Sequence, residues 1–188
     1  MKEIAIWSPK GGVGKTTLTL HLAAYFASQN LRVGIVNLDP QGSAAIFADR
    51  DLVRVIDESK KSGADIVLYD CPPGADAPPK KIAIMPITLD PLSMSPSKKA
   101  LKFARAEGHQ IFVVANNYDA RRSEQKSALD LLGADFVVHA RSIYPRLIGR
   151  KKTAFDESGL LSKFYGGLAA KEEMTNFGLA VTTFLGKN

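Results

Sequence analysis

Short apolar runs recur along the chain at Ile4–Trp7, Val33–Leu38, Ile66–Tyr69, Ile82–Ile87, Ile111–Ala115 and Phe136–His139. They are near-continuous rather than alternating, which is the pattern of strands covered on both faces. Between them, apolar positions fall at helical spacing over Thr17–Gln29, roughly Ala44–Ser59, Lys98–Glu107 and Ser123–Leu132. Strands alternating with amphipathic helices predict an α/β fold, a mostly parallel, doubly wound sheet with helices on both faces. Functional loops then gather at the carboxyl ends of the strands. From Lys163 onward the pattern predicts one or two helices packed back on the sheet, with Phe177, Leu179, Val181, Phe184 and Leu185 mainly in the core. Trp7 and Tyr165 read as packing residues, and Pro72, Pro73, Pro78 and Pro79 punctuate a loop. No repeat, low-complexity tract or long linker breaks the pattern, so residues 1–188 are expected to form a single domain.

The stretch Pro9–Leu18, PKGGVGKTTL, joins the first strand to the first helix. A strand, a glycine turn and a helix N-terminus in that order are what phosphate binding requires. Gly11, Gly12 and Gly14, with Val13 among them, let the backbone curl so that successive N–H groups point at β- and γ-phosphate oxygens. Lys15 supplies a point charge there, and the Thr16 hydroxyl a magnesium ligand. Thr17, at the helix start, either touches the α-phosphate or is an ordinary first-turn threonine. The strict Walker A pattern is not met, because Pro9 stands where its first glycine would fall.

Two carboxylates end strands that should open into the same crevice. Asp39 follows Asn37-Leu38 and precedes Pro40-Gln41-Gly42; Asp70 precedes Cys71-Pro72-Pro73-Gly74. Either alone is a turn former. Facing a phosphate loop together, they suit magnesium and an attacking water, since the metal takes oxygen ligands and the water needs an acceptor for its proton.

Composition narrows the setting. Hydrophobic residues make up 45% of the 188, enough for a sizeable core. No apolar run approaches the roughly 20 residues of a membrane span, and the N-terminus lacks a signal-peptide pattern, so a cytoplasmic protein is expected. The lone Cys71 has no internal disulfide partner. His21, His109 and His139 lack ligand spacing and read as structural or exposed. The net charge is +6, and Lys and Arg balance Asp and Glu over residues 1–94 but exceed them 15 to 9 over residues 95–188. Such asymmetry points to a basic face for a polyanion, nucleic acid before an acidic membrane.

KGGVGKTT resembles the deviant Walker A motif of the ParA/MinD family of P-loop ATPases. The resemblance implies ATP/ADP and Mg2+ as ligands, and a homodimer formed on ATP in which Lys10 reaches across to the partner's nucleotide. NLDPQG and DCPPG look like the family's two switch segments, which would make Asp39 the residue positioning the attacking water and set Asp70 near magnesium, each carboxylate acting on the metal directly or through a water. Lys10, Lys15 and Asp39 are thereby the catalytic candidates, with Thr16, Asp39 and Asp70 as the metal group. ANNYDAR and IYPRLIGRKKTAFDESGLL resemble the segments beside the base, with Asn116 and Pro145 in the adenine pocket. Three departures stand out. Asn37 replaces a common Asp, only about 11 residues separate Asp70 from the next strand, too few for a full crossover helix, and the chain is expected to resemble the small subclass of partition ATPases, which lacks an N-terminal DNA-reading domain ahead of the loop.

Arg146, Arg150, Lys151 and Lys152 fall within seven residues. On a helix, Arg146 and Arg150 lie one turn apart, matching neighbouring backbone phosphates; the other reading is a solvated loop. The resemblance implies a nucleoid-associated partition ATPase, binding nonspecific DNA and released when a ParB-like or centromere-binding adaptor stimulates hydrolysis. A variant would position a carboxysome or chemotaxis cluster. A membrane-cycling MinD-like protein needs a detachable basic amphipathic C-terminal helix, which FGLAVTTFLGKN does not resemble, so no membrane partner is expected. A small-molecule ligase such as dethiobiotin synthetase shares the loop but needs a substrate motif that is not evident.

Overall fold

The computed structural model describes residues 1–40, 49–50, 53–61, 63–156 and 164–187. Eight strands form one sheet: β1 (Lys2–Ile6), β2 (Val33–Asn37), β3 (Asp49–Arg50), β4 (Val53–Val55), β5 (Ile66–Asp70), β6 (Ile82–Thr88), β7 (Gln110–Tyr118) and β8 (Phe136–His139). Their order is β3-β4-β2-β5-β1-β6-β7-β8. Every pairing is parallel except the β3–β4 hairpin at one edge. The expected mostly parallel, doubly wound sheet is what the chain forms.

Among the described residues five helices cover it: α1 (Lys15–Ser28), α2 (Pro91–Ala106), α3 (Ser123–Leu132), α4 (Ile143–Gly149) and α5 (Gly167–Gly186). α1, α4 and α5 pack with Ile4, Ile6, Ile35, Leu68 and Ile84 on one face. α2 and α3 pack with Ala5, Val67, Met85 and Val113 on the other, so alternate residues of each strand enter different cores. α1 is apolar nearly all round because it lies between the sheet and α5. A Cβ at Gly178 would stand 2.2 Å from the Tyr25 ring, so the glycine lets α5 close on α1.

Four expectations are corrected. The helix over Ala44–Ser59 is not formed where that span is described: β3, β4 and a 3-10 turn at Glu58–Lys60 occupy it, while Gln41 to Ala48 lie outside the described residues. The helix placed at Lys98 starts at Pro91, where the Asp90 carboxylate accepts from Ser93 N at 2.9 Å and the proline sits in the first turn, needing no donor. Leu179 is exposed on α5, unlike Phe177, Val181 and Leu185. Tyr165 is fully exposed, whereas Trp7 is buried as expected and donates its indole N–H to Ala75 O at 2.9 Å.

The short connection after Asp70 forms no helix; residues 71–81 cross over β1 as turns. Polar groups seal that side instead. Tyr69 is fully buried beneath Lys80, whose ammonium lies 4.3 Å from the ring centroid. Lys80 pairs with Glu58 at 2.8 Å, and Lys61 pairs with Glu3 at 2.7 Å and Glu58 at 3.0 Å. The two ammonium groups hold the Glu58 carboxyl down at about 2.

Candidate functional site

Register brings the strand ends together. Ile6 and Asn37 both pair with Asp70, so β1, β2 and β5 stop level with one another beneath the glycine loop. β6 and β7 run on, from the Ile84–Phe112 pair to the Thr88–Asn116 pair, and raise a wall beside that loop. From this wall Asn116 Nδ2 reaches over to Val13 O at 2.7 Å. Gly14 must be glycine twice over: its φ is +92°, and a Cβ would lie 2.3 Å from Asn116 Nδ2. It caps α1, whose first N–H groups face the crevice.

Lys15 is 7% exposed, and its ammonium donates to Lys10 O at 3.1 Å and Ser8 O at 3.4 Å, wrapping the loop around itself. Burial lowers its affinity for the proton, and the charges of Asp70 and Asp39 oppose that fall. The Thr16 hydroxyl donates to Asp70 Oδ2 at 2.8 Å, and Thr19 approaches Oδ1 at 3.4 Å. Asp39 is half-buried, its N–H accepted by Asn37 Oδ1 at 3.2 Å, and its charge reaches both Lys15 and Asp70. Gly74 N donates to Pro9 O at 2.9 Å, tying the segment after Asp70 to the front of the loop. Lys10 points its side chain outward, exposed and in no ion pair among the described residues.

The Thr16 hydroxyl and the Asp70 carboxylate are adjoining oxygen donors of the kind Mg2+ takes, the remaining positions coming from phosphates and water. Among the described residues no cluster of three or more His, Cys, Asp or Glu could hold a metal alone. The donor set therefore fits a magnesium that arrives with a phosphate.

Burial pushes the Asp70 carboxyl up to about 6, over the opposing pull of Thr16 and Lys15. An unfolded Asp titrates at about 3.9. Between those values the folded chain keeps a proton that the unfolded chain has released, so this group's cost to stability grows as pH rises through the interval and is complete above it. Nucleotide-free Asp70→Asn is expected to exceed wild type in stability by up to about 3 kcal/mol above pH ~6, the gain vanishing below pH ~4. Denaturant melts across that range check it, and coincident midpoints at neutral pH contradict it.

A cleft of about 170 Å3 continues from the loop, lined by Gly12, Gly14 and Thr17 at one end and by Asn116, Asn117, Val138, His139, Arg141, Tyr144, Pro145 and Met174 along the rest. Asn116 and Pro145 are thus brought together. His139, read as structural or exposed, lines the same cleft beside Arg141 and Tyr144, neither of which stands out in the sequence. A sequence model of the CobQ/CobB/MinD/ParA nucleotide binding domain matches residues 4–153. The chain belongs to this family.

Relatives within the CobQ/CobB/MinD/ParA family include the chromosome-partitioning ATPase Soj of Thermus thermophilus, 54% identical over 44 residues, which are 23% of this chain and 18% of that protein. The maintenance of carboxysome distribution protein A of Gloeobacter kilaueensis is 38% identical over 89 residues, 40% of this chain and 41% of that one. The chain thus spans well under half the length of these relatives. The crystal structure of a putative plasmid partition protein from Borrelia burgdorferi, bound to AMPPNP, superposes with TM-score 0.70 at 17% identity, covering 100% of this chain and 99% of that one.

The four basic candidates lie apart from the cleft. Arg146 is exposed on α4, and Arg150 caps that helix one turn further on, its guanidinium 4.7 Å from the Phe164 ring centroid. Lys151 is exposed with a φ of 55°, and Lys152 pairs with Asp156 at 3.4 Å. A second basic surface has no counterpart among the sequence motifs. α2 carries Lys98, Lys99, Lys102 and Arg105, has no acidic residue, and forms no ion pair through these side chains among the described residues.

Proposed function

We propose that this chain is the ATPase domain of a partition or positioning system, which dimerises on ATP, holds nonspecific DNA as a dimer, and lets go when an adaptor stimulates hydrolysis. The observation that carries this reading is the pair of lysines at one loop. Lys15 is buried and turned inward, whereas Lys10, five residues earlier, is exposed and in no ion pair among the described residues, so its ammonium is available to a second copy. Two copies meeting loop to loop would each set Lys10 against the other's γ-phosphate, where a cation offsets charge on the transferring oxygens.

In this reading the N–H groups around Gly11, Gly12, Val13 and Gly14 cradle the phosphates, and Thr17 sits where the α-phosphate enters α1. Thr16 and Asp70 would hold Mg2+, which would supply positive charge to offset that of the phosphates. Asp39 orients the attacking water. Asn116 and Pro145 border the base. The relatives named for chromosome partition and carboxysome distribution support both cargo classes, since the adaptor chooses the cargo. Against a membrane-cycling reading, the face of α5 bearing Met174, Phe177, Val181 and Leu185 is buried on α1 and the sheet, leaving no apolar stripe to release without unpacking the core.

Contacts to DNA would be to phosphates, through Arg146, Arg150, Lys151 and Lys152, and so independent of base sequence. Wild type with ATP and Mg2+ is expected to be retained on arbitrary duplex DNA at low salt, and Arg146→Ala/Arg150→Ala to lose retention. Where residual binding is measurable, the slope of log affinity against log salt falls by about 0.9 for each phosphate contact removed. An unchanged slope and affinity in the double variant would remove this segment from the DNA interface.

A further inference from the structure

Four donors from three cleft-lining residues, His139, Arg141 and Tyr144, converge on one carboxylate. Glu173 on α5 is 8% exposed and accepts from His139 Nδ1 at 2.6 Å, from the His139 backbone N–H at 3.3 Å, from Arg141 Nε at 3.2 Å, and from the Tyr144 hydroxyl. Arg141 donates a second time, through its terminal nitrogen, at 3.3 Å. Burial and the neighbouring carboxylate raise the Tyr144 phenol well above its ordinary range, so it stays a donor.

An ionised carboxylate only accepts, so the ring nitrogen 2.6 Å from it must carry a hydrogen. In a neutral imidazole the second nitrogen, Nε2, then presents a lone pair. His139 lines the cleft, its side chain is 46% exposed, and Nε2 makes no hydrogen bond among the described residues. If the triphosphate occupies the glycine residues of this lining, as the proposed function requires, the rest of the lining, with Val138, His139, Pro145 and Met174, is left for the base. Adenine offers an amino donor at position 6, whereas guanine and hypoxanthine offer an oxygen acceptor there.

We propose that His139, held in one tautomer by Glu173, is a base-specificity residue that selects 6-amino over 6-oxo purines, with Glu173 as its positioning residue. The geometry supplies a reason for both partners: the ring offers the acceptor and the carboxylate decides which nitrogen it is. A 6-oxo base would set one lone pair against another, so that neither acceptor gains a hydrogen bond from the contact.

The test is binding of ATP and ITP, with Mg2+ at about pH 8.5, to wild type, His139→Phe and Glu173→Gln, each first checked for a cooperative melt. His139→Phe keeps a ring against Tyr118, whose centroid lies 5.5 Å away, and removes only the nitrogens. Wild type is expected to favour ATP over ITP by about tenfold, His139→Phe to bring the ratio close to one, and Glu173→Gln to lower it in the same direction. A packing role alone would weaken both nucleotides together and leave the ratio where it was. Equal affinity of wild type for ATP and ITP, or a preference that survives in His139→Phe, overturns the inference while the ATPase reading stands. Failure of wild type to bind either triphosphate overturns the ATPase reading itself.

Discussion

Lys15→Ala is expected to bind neither ATP nor ADP measurably, a loss of roughly a hundredfold or more in affinity. The side chain is a buried cation at the glycine loop, and its carbonyl partners at Ser8 and Lys10 leave a hydrogen free for a phosphate oxygen. Removing it does more than delete an attraction. Asp70 and Asp39 both act electrostatically on Lys15, and without it their negative charge faces the incoming polyanion uncompensated. Titration calorimetry with each nucleotide gives the answer, and an affinity within a few-fold of wild type contradicts the phosphate-cradle account.

Lys10→Ala is expected to behave quite differently, although it stands only five residues away. Its side chain is exposed and its backbone carbonyl, which the substitution keeps, is what holds Lys15. Nucleotide affinity of the monomer should therefore survive within about fivefold, since an exposed charge is worth roughly 1 kcal/mol or less. The ATP-dependent dimer and stimulated phosphate release should be lost, because in the dimer the same ammonium would be desolvated against a γ-phosphate, where its contribution is several times larger. Light scattering and phosphate release read the two effects separately. Equal loss of nucleotide binding in Lys10→Ala and Lys15→Ala would mean that both lysines serve one subunit's pocket.

The parts of this molecule that were legible in the sequence are those governed by local rules. Strands such as Ile82–Thr88, buried on both faces, had to be continuous apolar runs, and the glycines at 12 and 14 mark backbone that other residues adopt only with strain. The shortness of the link after Asp70 likewise foretold the missing crossover helix. Pairing across long separations left no comparable trace. Glu173 meets His139 34 residues away, and neither lies in a recognisable spacing. The start of α2 was hidden because Ser93 and Ser97 occupy buried positions where an apolar period was sought, though Asp90-Pro91 carried the cap signal. Over Ala44–Ser59 the apolar positions imitate a helical period, yet Val53–Val55 lie between β2 and β3 in the sheet, tertiary pairing overriding local pattern. Leu179 followed the apolar pattern of α5 yet faces outward, since a helix packed along one side leaves some apolar positions to solvent.

The central claim, that one loop carries an inward lysine for its own nucleotide and an outward lysine for another copy's, is tested most directly by sizing the protein in solution with ADP, with ATP and with a nonhydrolysable ATP analogue. The account predicts a monomer with ADP and a dimer with ATP that persists with the analogue. A monomer in all three, at concentrations that saturate the nucleotide site, would contradict it.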